Sequence, residues 1–169
     1  MKKWWFPEIV FIIALFGLII SLISNKAEAF EYEFSDSVKS AWCRSEAGCK
    51  ILAEVGYFEA RGESDEGVYA VMLVVMNRVK SNKWGNTVKD VVHQPWQFSY
   101  RYHPVYKMGM LDKKQELRML SLAYDVYARS VEDFTGGATH YHTLDTKPFW
   151  SRNMAPRGVY GNHVFYEGF

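Results

Sequence analysis

The sequence predicts an α+β domain, mainly helical, with a small β element near its C-terminus and a hydrophobic helix at its N-terminus. Three observations predict it. Apolar residues recur at helical spacing through 51–58, 68–79 and 117–131. The pair Gly136-Gly137 then breaks the chain. Beyond it stand short alternating or aromatic runs bounded by Gly or Pro, which read as extended pieces. Helices first and extended segments last is an α+β order.

The N-terminal stretch reads as a targeting or anchoring segment. Met1-Lys2-Lys3 is a short positive start, and Trp4 and Trp5 suit a membrane interface. Ile9 to Ile23 is apolar apart from Gly17 and Ser21, and Ala27-Glu28-Ala29 has the small-residue spacing of a signal-peptidase site. Residues 1–29 are therefore expected to be a cleaved export signal or a retained anchor, with residues 4–24 holding the membrane. Either sends the following domain out of the cytoplasm, to the periplasm or cell envelope, secreted or tethered. Residues 30–42, acidic and Ser-containing, read as a linker, and 43–169 as the folded domain. Cys43 and Cys49 can pair in an oxidising compartment and tie a small loop, or both can be free and buried. With no third cysteine in the chain, a Cys-based zinc site is not indicated.

Composition narrows the function. A formal net charge of +1 with no basic run gives no sign of a nucleic-acid partner. Aromatic residues make up 17% of the chain, which fits rings that stack on sugars or rings that fill a core. The 169 residues, less the N-terminal stretch, suit a single domain with a proper core, and that domain is expected to be a monomer.

In the first domain helix Ile51, Leu52, Val55 and Phe58 form the apolar stripe. Glu59 lies on its edge, where partial burial favours the protonated carboxyl. Gly62 is expected to stop the helix in the left-handed conformation. Glu59 then stands in the last turn, where the negative end of the helix dipole also disfavours ionisation. A carboxylic acid that keeps its proton near neutrality can act as a general acid, as glycosidic cleavage requires. A second helix follows, with Ser64 as cap, Asp65 and Glu66 in its first turn, and a buried stripe of Val68, Val71, Met72, Val75 and Val79, closed by Asn77 and Arg78. Residues 83–86 form a turn and 87–93 a short helix. Pro95 blocks its continuation. In the loop or extended segment that follows, Gln97, Phe98 and Ser99 combine amide, ring and hydroxyl, the groups a carbohydrate subsite needs. A third helix is expected over 112–131, capped by Asp112 with Gln115 and burying Leu117, Leu120, Tyr124, Tyr127 and Val131. Residues 138–142 alternate as a strand. The segments 147–152 and 161–165 are aromatic and bounded by Pro or Gly.

The ordered set Tyr57-x-Glu59-Ala-Arg-Gly-Glu63, Gly67-x-x-Ala70-Val71, Val75-x-Asn77-Arg78-Val79, Gln94-Pro-x-x-Phe98-Ser99, Trp150-x-Arg152 and Gly161-x-His163-x-Phe165 resembles the spore-cortex-lytic (SleB/CwlJ-type) cell-wall hydrolase family. The resemblance runs from about Ile51 to Phe165. It implies a lysozyme-like fold and action on peptidoglycan glycan strands, at the β-1,4 bond between N-acetylmuramic acid and N-acetylglucosamine. It implies Glu59 as catalytic acid, in a muramidase or a lytic transglycosylase. The substrate-binding residues expected are Glu63, Gln97, Phe98, Ser99, Tyr141, Trp150, Arg152 and His163, with no metal or cofactor. Glu63 is the nearest second carboxylate, and a structural role, holding Arg61 or a backbone donor, is the alternative for it. The chain departs from the family at His140-Tyr141-His142, where a Tyr-Tyr or Tyr-Phe-Asn element is usual. These histidines open a rival reading: His140, His142 and His163 as zinc ligands of a peptidoglycan amidase or peptidase. A module that grips glycan without cleaving it is a third reading, which an intact Glu59 disfavours.

Overall fold

The computed structural model describes residues 7–102, 110 and 112–168, with side chains from residue 17 onward. The chain divides at Asp36/Ser37 into two compact units. Five helices come first: α1 (Pro7–Ser45), α2 (Ala47–Ala60), α3 (Asp65–Ser81), α4 (Val88–His93) and α5 (Lys113–Tyr127). Three strands follow, β1 (His140–Thr143), β2 (Pro156–Tyr160) and β3 (His163–Tyr166), in an antiparallel sheet of order β1-β3-β2. Short 3₁₀ turns lie at Ser99–Tyr102 and Phe149–Asn153. The architecture is thus mainly helical with one small sheet, as the sequence predicts.

The described part of the first unit is the earlier part of α1. Leu18, Ile20, Ile23, Phe30, Tyr32 and Phe34 are exposed along it. Among the described residues no helix is long and apolar enough to cross a membrane. The expected anchor falls partly outside them, since Met1 to Phe6 and the side chains up to Phe16 are not described. The stretch 30–42, read above as a linker, is helical. No Gly or Pro stands between Gly17 and Gly48, so nothing interrupts the backbone hydrogen bonds there.

The second unit begins with the last turns of α1 laid on α5. Ser40 Oγ donates to the Leu117 carbonyl at 3.1 Å, and Lys39 pairs with Asp125 at 2.9 Å. Trp42 meets the Tyr124 ring edge-on at 5.2 Å. Cys43 and Cys49 form a disulfide between the end of α1 and the start of α2. Closing so short a loop removes freedom from the unfolded chain worth about 2 kcal/mol. Reduction with dithiothreitol should lower the urea midpoint accordingly, and a Cys43→Ser/Cys49→Ser chain should show no further response to the reductant.

α2 runs through the core. Leu52, Ala53, Val55 and Tyr57 are buried against Val68, Val71, Met72 and Val75 of α3 and Met119, Leu120, Ala123 and Val126 of α5. Gly56 permits this approach, because a Cβ there would run into the Met72, Met119 and Val68 side chains. Ser64 caps α3 by accepting the Gly67 N–H, and Asp112 caps α5 by accepting those of Lys114 and Gln115.

Several boundaries differ from expectation. α2 ends at Ala60 with Arg61 still right-handed at φ −59°, and Gly62 does not take the left-handed conformation. The Ala60 carbonyl instead accepts the Glu63 N–H at 2.9 Å, and Arg118 holds the turn beyond it, its guanidinium donating to Arg61 O at 3.3 Å and Glu63 O at 2.8 Å. α3 continues past Asn77-Arg78 to Ser81, and Asn82 supplies the left-handed stop at φ 56°. α5 ends at Tyr127, four residues early, where Arg129 turns left-handed at φ 60°. Its buried face is rotated from the expected one: Leu117 is 49% exposed, and Met119, Ala123 and Val126 are buried. The segment 149–153 is a 3₁₀ turn rather than extended.

Candidate active site

The last turn of α2 carries Glu59 half-buried beside the sheet. The Tyr141 hydroxyl of β1 donates to Glu59 Oε2 at 3.1 Å. The Tyr141 ring is held from behind by Phe165 at 5.7 Å and edge-on by His163 at 5.4 Å. Burial raises the Glu59 pKa, and the Tyr141 hydrogen bond and the Arg78 charge oppose it without cancelling it. Burial likewise holds the Tyr141 phenol well above its ordinary range, with the Glu59 charge adding to it. The Tyr141 proton therefore stays in place as a donor.

Arg78 underlies this pair. It interrupts the Val-rich face of α3 and is itself buried, with 7% exposure. Its Nε donates to the Thr139 carbonyl at 2.7 Å and its Nη1 to Gln97 Oε1 at 3.0 Å. The guanidinium lies against the rings of Trp84 at 5.5 Å and Phe98 at 5.7 Å. Burial pushes its pKa down, and the Tyr141 and Glu59 charges push it back up. Asn77 donates to the Ala138 carbonyl at 3.1 Å. The Asn77-Arg78 pair thus fixes the strand entry that aims Tyr141 at Glu59.

Glu63 is held on the other side. Its Oε2 accepts the Asn162 N–H at 3.0 Å, and its Oε1 lies 3.8 Å from His163 Nδ1. Gly161 supplies the tight turn between β2 and β3 at φ 57°, and any Cβ there would strike the Glu63 carboxyl. His163 is 5% exposed, and its Nδ1 has no hydrogen-bond partner. Burial lowers its pKa, with Glu63 opposing. A neutral imidazole is therefore expected there near pH 7. Glu59, Glu63, Thr143, Leu144, Asp145, Asn162 and His163 line one cleft of about 380 Å³.

The structure brings Glu59, Glu63, His163 and Tyr141 together, with Gln97 one step behind through Arg78. Phe98 is a core residue with 2% exposure, and Ser99, itself exposed, starts the next 3₁₀ turn. Trp150 packs on His140, His142 and Tyr166. Arg152 is exposed over the Phe149 ring at 5.6 Å. None of these four lines the cleft.

The histidines of the zinc reading do not converge. Register pairs His140 with Tyr166 and His142 with Val164 on one face of the sheet, and Tyr141 with Phe165 and Thr143 with His163 on the other. His142 Nε2 is also engaged by the Tyr166 hydroxyl at 2.9 Å. Among the described residues no group of three or more His, Cys, Asp or Glu is placed to hold a metal ion. Arg78, Asn162, Asp145 and Thr143 were not foreseen as site residues. Only Arg78 left a sequence signal, a charge inside an apolar helical stripe.

Residues 62–166 match the sequence pattern of the Cell Wall Hydrolase family, with Glu59 just ahead of the matched stretch. Among curated proteins, the spore cortex-lytic enzyme of Halalkalibacterium halodurans is 30% identical over 124 residues, covering 72% of this chain and 35% of the relative. That of Bacillus subtilis is 40% identical over 123 residues, covering 70% of this chain and 37% of the relative. The chain thus spans little more than a third of the length of these two relatives. The solved catalytic domain of the Bacillus cereus SleB protein superposes with a TM-score of 0.56 at 27% identity, covering 71% of this chain and 89% of that one. The catalytic domain of the germination-specific lytic transglycosylase SleB from Bacillus anthracis gives the same TM-score and identity, over 71% of this chain and 93% of that one. The chain belongs to the Cell Wall Hydrolase family.

Proposed function

We propose that this chain degrades peptidoglycan by cleaving the β-1,4 bond between N-acetylmuramic acid and N-acetylglucosamine, with Glu59 as acid and then base. The observation that carries this reading is the environment of Glu59: a cleft-lining carboxyl whose burial raises its pKa and whose orientation is set by Tyr141. Glu59 gives its proton to the bridging oxygen as the bond to the muramic acid anomeric carbon breaks. The ring oxygen stabilises the cation left behind. The Glu59 carboxylate then takes the proton of the muramic acid C6 hydroxyl, whose oxygen closes on the anomeric carbon to give a 1,6-anhydro ring. No second carboxylate is required, and Glu63 is occupied by the Asn162 N–H. These points support a lytic transglycosylase. Asp145, on the same cleft, favours a second reading in which it activates a water and the product is reducing.

The disulfide supports an oxidising compartment outside the cytoplasm. The N-terminal segment serves as export signal or tether, and the domain works as a monomer on glycan strands. Digestion of purified murein with the full chain, followed by mass spectrometry of the muropeptides, tests the reaction. A product lighter by one water marks transglycosylation, a new reducing muramic acid marks hydrolysis, and freed stem peptides would refute the assignment.

Tyr141→Phe tests the aim of the acid. Its loss removes one hydrogen bond to Glu59, so the rate should fall roughly tenfold. That bond favours the ionised carboxyl, so the Glu59 pKa rises further without it. The alkaline limb of the pH–rate profile should therefore move to higher pH.

A further inference from the structure

The turn Gln94-Pro95-Trp96-Gln97 is closed by the Gln97 N–H on the Gln94 carbonyl at 3.4 Å. Pro95 occupies its second position, which suits the fixed φ of proline. Trp96 occupies the third with φ 66°. In a turn of this kind that position normally holds Gly or Asn, because other side chains crowd the backbone there. The Trp96 ring gains no core packing in return, since it is 87% exposed.

The rest of the turn is fixed. The Gln94 side chain donates to the Trp84 carbonyl. Gln97 accepts from Arg78 at 3.0 Å, and Phe98 is buried. Tyr102 stacks on Trp96 with centroids 5.5 Å apart and planes inclined at 27°. Its hydroxyl accepts the Trp96 N–H at 3.3 Å. A strained backbone thus holds a backed indole out into water. Such an outlier points to use, not to stability.

We infer that Trp96, backed by Tyr102, is a stacking platform for a pyranose ring of the glycan strand. A pyranose presents a flat set of C–H bonds that an open indole face covers well. The next residue, Gln97, accepts from Arg78, whose charge acts on Glu59, so the platform is linked to Glu59 through the Gln97 and Arg78 side chains. The inference deepens the proposed function and rests on it.

The test uses the full chain carrying Trp96→Gly or Trp96→Asn. Both residues accept the left-handed turn, so thermal stability should be unchanged or higher. The KM for murein should rise roughly fivefold to tenfold with kcat little altered, and Trp96→Phe should recover part of the loss. In a Glu59→Gln background the same substitutions should weaken binding to murein sacculi by a similar factor. Unchanged KM and binding would overturn the platform alone. So would lost adhesion to phosphatidylglycerol vesicles with murein binding intact, which would make Trp96 a membrane contact. Absence of any murein cleavage by the unaltered chain would overturn the proposed function and the platform with it.

Discussion

Glu59→Gln should lower murein lysis roughly 10²–10⁴-fold, the usual worth of a positioned general acid, while sacculus binding survives. The amide can still accept from Tyr141, whose donor lies 3.1 Å away, so the cleft keeps its shape. It cannot deliver a proton. The same variant should be more stable than the parent at neutral pH. In the fold Glu59 titrates above its ordinary 4.5, chiefly because burial disfavours the charge. Below that ordinary value both folded and unfolded chains carry the proton, and the site costs nothing. Above it the unfolded chain ionises first, so the fold loses stability until pH passes the folded pKa. Gln removes this cost. The stability gain should be present at pH 7 and vanish at about pH 4. Urea unfolding at the two values measures it, and an unstable Glu59→Gln chain at pH 7 would contradict the burial of the carboxyl.

Arg78→Met should have the largest effect on stability, a loss of about 3–5 kcal/mol. The guanidinium is buried, bonded to the Thr139 carbonyl and Gln97, and flanked by Trp84 and Phe98. Methionine fills part of the volume but leaves both acceptors unpaired. Arg78→Lys keeps charge but not the fork, and should fall between the two. Urea midpoints rank the three chains. A drop below 1 kcal/mol in Arg78→Met would show that Arg78 does not knit α3 to the strand entry.

Much of this was readable in the residues. The stripes of α2 and α3 named much of their buried faces: Leu52, Val55, Val68, Val71, Met72 and Val75 are buried, whereas Ile51, Phe58 and Val79 are half-buried at the edge. The caps Ser64 and Asp112 were visible because a side-chain oxygen before an apolar run has a fixed use. Glu59 is visible as a carboxylate at the margin of a buried face, but only the family resemblance of the Glu59-Ala-Arg-Gly-Glu63 block gives it a catalytic role. What periodicity does not carry is long-range pairing. Arg118 reaches the turn after α2 from 55 residues away, so nothing local but Gly62 marks the stop. Phe98 and Gln97 looked like cleft residues because their chemistry suits sugars, yet Arg78 consumes both. His140, Tyr141 and His142 are adjacent in sequence, but the strand's alternation sends Tyr141 to Glu59 and the histidines to the opposite face.

The most direct test is a carbon NMR titration of the Glu59 carboxyl in the full chain, assigned by its loss in Glu59→Gln. Its midpoint should lie above 4.5 and coincide with the alkaline limb of kcat/KM on murein. A midpoint at or below that value, or an activity limb unrelated to it, would contradict Glu59 as the proton donor.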